Sequence, residues 1–392
     1  MPVGDCSKLL VSQPVFDLLS ASPTSDLTTK AEVRADEAPP IPEARQEIKI
    51  SNILWPLFLS LSVLAVISYY TFDLGTFKQL LRQLNPWFLL AAVGTVVARI
   101  AFGALRLNYL SHGLLNFRES VRSQLAWDFF GAVTPSSVGG GPFIVVFISK
   151  DRGISLGDST AIILFSTLLE MLWQAFLIPT IVVLSFYFDV FPAAMGTVGF
   201  SAMMVAFLIY VGWVSLLAYS TLINPRFLAV LVGTAFKLPF LRRFRTRALR
   251  TMGEMRSRSE LLRSETPMYY VKGFLISLVP WLSRYALPMF LIWSVYPAVD
   301  KLLVFLRAAA LQLGALFMPT PGGAGAVEGL YLLFFGPPIM PQSLVAPTLL
   351  VWRLLSYYLF IFVGIYIAIQ YVQRRVTARS AEPVAEPVPS DT

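Results

Sequence analysis

Apolar residues in this chain gather in long blocks rather than in short alternating segments. The blocks lie at residues 52–71, 86–111, 121–149, 157–188, 193–221, 268–296, 300–336 and 344–372. About 20 predominantly apolar residues carry a helix across a bilayer, and Ile53 to Tyr70 alone runs for 18 residues without a charge. A membrane barrel needs alternating segments, which are missing. The pattern predicts an all-α polytopic membrane protein.

Two blocks are interrupted. The third contains "TPSSVGGGP", Thr134 to Pro142, and the seventh contains "FMPTPGGAGAVEGL", Phe317 to Leu330. Proline and glycine break helices, and non-helical backbone at membrane depth is tolerated only where protein buries it or where it lines a wet cavity. Both interruptions are therefore expected to face inward, toward each other.

Charge decides how these blocks cross. Between residues 224 and 266 lie ten basic residues, from Arg226 to Arg263, against Glu254, Glu260 and Glu265. If all eight blocks cross, either this loop or the Arg118, Arg122, Arg374, Arg375 and Arg379 group falls on the external side, against the positive-inside tendency. If each interrupted block dips in and returns, all of these become cytoplasmic, and only Lys78 and Arg82 sit on the wrong side. The expected topology is six full transmembrane helices and two re-entrant broken-helix hairpins, with both termini cytoplasmic in the plasma membrane.

An inverted repeat follows. Residues 86–188 read span, hairpin from inside, span, and residues 268–372 read span, hairpin from outside, span. Arg99 precedes Gly139 by 40 residues and Arg284 precedes Gly322 by 38, while Gly140 precedes Glu170 by 30 and Gly323 precedes Arg353 by 30. Inverted repeats with discontinuous helices are a transporter architecture, with the site at the midplane. The domain reading is a disordered tail over 1–49, a membrane domain over 50–376 with a basic linker at 222–267, and a second disordered tail over 377–392.

Composition agrees: 56 % of residues are hydrophobic and 14 % charged, with a mean hydropathy of +0.66. The net charge of +8 comes largely from the 224–266 loop, which fits anionic lipid headgroups rather than nucleic acid. One cysteine, Cys6, and one histidine, His112, leave no Cys- or His-based metal cluster. "GGAGAVE" has Glu328 where a dinucleotide fingerprint needs its third glycine, and there is no phosphate-binding P-loop, so no cofactor is expected.

Ionisable residues inside spans are costly and are the first candidates for function. They are Arg99, Arg106, Asp128, Glu170, Arg284, Arg307, Glu328 and Arg353. Arg106 is read as lying near the cytoplasmic interface, where it could snorkel or bind phosphate. Asp128 could equally cap a helix end, and ion pairing between spans is the structural alternative for each of the others. The half-helix after each break is expected to offer N–H groups and a positive dipole end to an anionic headgroup, although small residues also serve tight helix crossings.

The pairing of "TPSSVGGGPFIVVFISKDRGISLGD" with "MPTPGGAGAVEGL", followed by "VWRLLSYYLFIFVG", resembles the lysylphosphatidylglycerol synthase transmembrane-domain family of flippase-like membrane proteins, over about residues 50–375. Its signature is carried by Pro321, Gly322, Gly323, Gly325 and Glu328, with "FGALRLNYL" around Arg106 and the segment holding Arg353 and Gly364. The resemblance implies a translocase for a phospholipid or lipid-linked headgroup, whose relatives are associated with aminoacylated phosphatidylglycerol, hopanoids and isoprenoid-linked sugars. It implies no synthase activity, since no soluble domain follows the membrane part. Phe143, Ile144, Val145 and Val146 stand where family members often carry a polar or charged residue, which favours a less charged lipid.

The expected site comprises Arg99, Arg106, Gly139, Gly140, Glu170, Pro321, Gly322, Gly323, Gly325, Glu328 and Arg353. Arg99, Arg106 and Arg353 would contact phosphate; Glu170 and Glu328 would pair with them or with a cationic headgroup, within reach of a central cavity. The expected partner is a membrane lipid, anionic, zwitterionic or polyprenyl-linked, and a homo-oligomer is open. The rival readings are a membrane-embedded glycosyltransferase-type enzyme on a lipid-linked sugar and a small-solute secondary transporter.

Overall fold

A computed structural model of the chain describes residues 84–134, 140–219, 265–318 and 320–380, with helical positions 58, 62, 65, 69 and 75. Most of the expected span at 52–71, the basic linker up to residue 264, the tail over 1–49 and the last residues from 381 lie outside the described residues. The described residues are helical. They form α1 (Pro86–Ser111), α2 (Phe117–Val133), α3 (Gly141–Arg152), α4 (Leu156–Leu184), α5 (Gly196–Ala218), α6 (Pro267–Val295), α7 (Lys301–Ala315), α8 (Ala326–Phe335), α9 (Gln342–Arg353) and α10 (Leu359–Ser380). A π-helical turn, Leu354–Tyr358, joins α9 to α10. The last helix runs through Ser380, into the 377–392 segment read from the sequence as a disordered tail.

Local chemistry sets several boundaries. Asn85 caps α1 by accepting from Trp87 N ahead of Pro86, and Asn116 and Glu119 form a reciprocal capping box on α2. Ser155 and Asp300 cap α4 and α7 through side-chain bonds to Asp158 N and Leu303 N. Five segments are long and apolar enough to cross a membrane: Pro86–Ser111, Leu156–Leu184, Ala193–Ala218, Pro267–Val295 and Gln342–Tyr371. They match the expected spans other than 52–71.

The interrupted blocks are broken where expected, α2 from α3 and α7 from α8. At 1.5 Å per residue α3 and α8 reach only about 18 and 15 Å, and α2 and α7 about 26 and 22 Å, short of the ~30 Å hydrocarbon core. Each pair packs on itself. The first turn of α2 meets the last turn of α3 through Arg152 Nη1 and Glu119 Oε1 at 2.8 Å, with Arg122 and Asp151 at 3.5 Å beside them. The start of one half and the end of the other thus share one side. In the second pair, Arg307 of α7 donates to Phe334 O near the end of α8 at 2.8 Å and twice to Asp189 O in the α4–α5 connection. Its charge is spent on backbone carbonyls.

Helices α1 and α6 run antiparallel in close contact. Asn85 N donates to Ser294 O at 2.9 Å at one end, and at the other Tyr109 and Tyr269 stack at 4.5 Å and each hydroxyl donates to the other's carbonyl. The packing scheme has an internal regularity. If α1 is exchanged with α6, α2 with α7, α3 with α8 and α4 with the α9–α10 helix, each contact within and between the two sets maps onto another observed contact. Helix α5 packs on α4 and belongs to neither set, with Val198, Val205 and Leu208 exposed as a lipid-facing flank requires.

Glycine fits where helices approach. A methyl group on Gly364 of α10 would lie 2.1 Å from the Phe129 ring of α2, whereas one on Gly94 of α1 would meet nothing within 4 Å. Gly364→Ala is expected to destabilise the detergent-solubilised protein by the ~1–3 kcal/mol typical of overpacking, read as a lower thermal midpoint. Gly94→Ala leaves it unchanged or raises it, since alanine is the better helix former. Thermal unfolding of the two variants side by side checks the contrast.

Candidate functional site

The two broken tips meet. Gly322 N donates to Thr134 O at 3.3 Å, joining the second interruption to the first, and Gly322 has φ +57° with no room for a side chain between the Tyr357 ring and Ala132 O. Only glycine satisfies both demands. Beside this junction lies a cavity of about 550 Å³, walled by α1, α2, α4, α5, α6, the second tip and the α9–π segment. Arg99 stands near the middle of α1 and Arg284 near the middle of α6, so the cavity sits near mid-membrane depth.

Three arginines and two carboxylates line it: Arg99, Arg284, Arg353, Asp128 and Glu170. Asp128 of α2 bridges the helix pair behind it. Arg99 contacts its Oδ1, Arg284 Nη2 lies 3.5 Å from the same oxygen, and Gln124 Nε2 donates to Oδ2 at 3.2 Å. The Arg99 guanidinium lies over Phe360 at 4.3 Å and that of Arg284 over Trp281 at 4.5 Å, which keeps both planar groups in place.

The other two lining charges are neutralised from behind. Arg106, fully buried, holds Glu170 through Nη1 and lies over Trp127. Glu328, also fully buried, holds Arg353 Nη2 at 2.7 Å. One acid thus remains for both Arg99 and Arg284. The surplus is a single positive charge, placed between the two exchangeable helices, and the Nε atoms of Arg99 and Arg284 have no hydrogen-bond partner among the described residues. An arginine pair of this kind can hold a singly charged oxyanion.

The sequence-expected residues divide accordingly. Arg99, Glu170, Gly322 and Arg353 line the cavity. Arg106 does not, and the interfacial reading fails because its side chain is enclosed against Glu170 and Trp127 rather than reaching water. Glu328 does not line it either. Its Oε2 accepts from Gly325 N at 2.8 Å as well as from Arg353, so this carboxylate caps α8 and occupies the helix N-terminus that was expected to receive a headgroup. Pro321, Gly323 and Gly325 shape the tip, the two glycines at φ +69° and +84°, and Arg353 leans on the Gly322 and Gly323 carbonyls at 3.4 and 3.5 Å. Gly140, at φ +73°, is pressed against the Phe130–Gly131 backbone and serves the packing of the first hairpin. Gly139 lies outside the described residues.

Asp128 and Arg284 were visible as charges in spans, but nothing in their order along the chain shows that they meet. Arg284 did have a signal in its 38-residue spacing to Gly322, parallel to the 40 residues from Arg99 to Gly139. Tyr210 and Trp213 of α5 had none, since α5 belongs to neither repeat, nor did Gln174 of α4, whose Oε1 accepts from Tyr210 OH. The π turn after Arg353 rotates Ser356 and Tyr357 onto the cavity wall; such turns are frequent at functional sites. Removing one partner of a buried ion pair typically costs ~3–5 kcal/mol. Glu328→Ala and Arg353→Ala are each expected to lower the thermal midpoint strongly, and the double variant less than the two together, which a double-mutant cycle on the solubilised protein measures.

Comparison with known proteins comes to the same place. A UPF0104 membrane protein of Archaeoglobus fulgidus is 23 % identical over 311 residues, covering 79 % of this chain and 93 % of the relative. No solved structure matches. The family described as the lysylphosphatidylglycerol synthase TM region matches residues 53–364, through both broken hairpins and the helices that wall the cavity, and the chain belongs to that membrane-protein family.

Proposed function

We propose that this protein is a flippase-like lipid translocase that moves a phospholipid or lipid-linked headgroup between leaflets. The observation that carries the reading is the single unneutralised positive charge, held by Arg99 and Arg284 around Asp128, in a mid-depth cavity beside the junction of two broken helices. A charged headgroup crossing a bilayer alone would leave its hydration for hydrocarbon, at a cost of many kcal/mol. The cavity replaces water with guanidinium donors, and a lipid's chains can stay in the bilayer meanwhile.

In this reading 86–188 and 268–372 act as inverted halves. The antiparallel α1–α6 pair and the exchangeable contacts support it, because halves related in this way can rock against each other about a central site. Phosphate binds between Arg99 and Arg284, displacing part of their hold on Asp128. Glu170, the carboxylate in the cavity whose side chain is 19 % exposed, receives the cationic or hydroxyl part of a headgroup. The basic residues near the α2–α3 ion pairs support a reading in which that end faces the cytoplasm, with the protein in the plasma membrane and both termini cytoplasmic.

Reconstitution in liposomes with fluorescent anionic, zwitterionic and polyprenyl-phosphate lipids tests the proposal. The wild type is expected to accelerate leaflet exchange of at least one class. Arg284→Gln, which removes a charge-assisted contact worth ~1.5–3 kcal/mol, slows that exchange by about one to two orders of magnitude while leaving the fold intact. Exchange equal to that of empty liposomes for every lipid class refutes translocation.

A further inference from the structure

A second hollow, of about 390 Å³, lies between α1 and α6. Ala91, Gly94 and Ala98 form one wall, Leu282 and Ala286 the other, with Phe305 of α7 beside them. Thr95 and Ser283 line both this hollow and the central cavity, so the two spaces adjoin at these side chains. On the same face of α1 as the groove, or next to it, Leu90, Val93 and Val97 are exposed at 61, 41 and 60 %, which sets the groove on the flank turned to lipid.

Small residues on two neighbouring helices normally let the backbones close on each other. They do so here: α1 and α6 are tied at one end by Asn85 and Ser294 and at the other by Tyr109 and Tyr269, and the small side chains leave a shallow groove along the seam midway, into which a side chain on Gly94 would project unopposed. Ser283, only 8 % exposed, brings a hydroxyl to the boundary between the groove and the polar cavity.

We infer that the α1–α6 groove is a lateral port that holds a hydrocarbon chain of the membrane lipid whose headgroup occupies the central cavity. This rests on the translocase reading. The chemistry of a lipid changes over a few bonds from charged phosphate through ester or ether oxygen to apolar chain. The wall changes in the same order, from Arg99 and Arg284, through Thr95 and Ser283, to Ala91, Gly94 and Ala286. Ser283 donates to the oxygen at the phosphate–chain boundary, and the chain leaves sideways without passing the charged wall.

Photocrosslinking tests this in proteoliposomes of phosphatidylcholine and phosphatidylglycerol that contain a trace of phosphatidylglycerol with a diazirine at the end of one acyl chain. After irradiation, peptide mapping is expected to place label on residues 91–98 and 279–286 above the level on the exposed α5 positions Val205 and Leu208. Gly94→Phe, at a site with nothing within 4 Å to clash, lowers the groove label several-fold with an unchanged thermal midpoint. Label spread evenly over lipid-facing helices and unaltered by Gly94→Phe overturns the port. Leaflet exchange in the same vesicles separates the two ideas: exchange that Gly94→Phe leaves untouched removes the port and keeps the translocase, whereas groove label without any wild-type exchange keeps the chain site and removes the translocase.

Discussion

Where a helix breaks inside a bilayer, the freed N–H and C=O groups have no water to bind, and each one left alone costs several kcal/mol. The architecture answers that need twice and then lets the two answers meet. Thr134 O and Gly322 N satisfy each other across the hairpins, Glu328 closes the start of α8, and Arg353 covers the Gly322 and Gly323 carbonyls. Glycine at 322 is what permits this, since any side chain there would strike Tyr357 or the Ala132 carbonyl.

Holding two broken tips together at mid-depth leaves a space that the flanking helices cannot fill. Its walls carry charges whose cost demands pairing, and the pairing is nearly complete. Glu170 is answered by Arg106 and Arg353 by Glu328, both from outside the cavity, so that these four residues rigidify the wall while showing it little net charge. Asp128 is asked to answer two arginines. That single mismatch distinguishes the cavity from a merely structural ion-pair network, and it lies where the antiparallel pair α1–α6 carries Arg99 and Arg284 toward the same acid.

Much of the frame could be read from the chain. Length and hydropathy of the blocks placed the spans, because one apolar helix of that size suits only a bilayer, and proline with clustered glycine placed both breaks to within a few residues. The roles of individual charges were harder to read. Arg106 and Glu328 read as candidate ligand contacts because both are charges at membrane depth, and in the structure they stand behind Glu170 and Arg353. A linear sequence does not say which side of a helix looks into a cavity when every side is apolar, as in α1 and α4.

The sequence by itself determined a helical membrane protein with five of its spans, two interrupted helices, and the set of charges from which a site must be built. Those follow from free energies local to a segment: transfer of a side chain to hydrocarbon, or the fixed φ of proline. Only the tertiary structure decided that Asp128 lies between Arg99 and Arg284, that Glu328 caps its own helix, that α5 contributes Tyr210 and Trp213 to the wall, and that a shallow groove runs along the α1–α6 seam. Each depends on where helices distant in sequence come to rest against one another, and ion pairs and packing contacts act between groups brought together in space, so no local pattern records them.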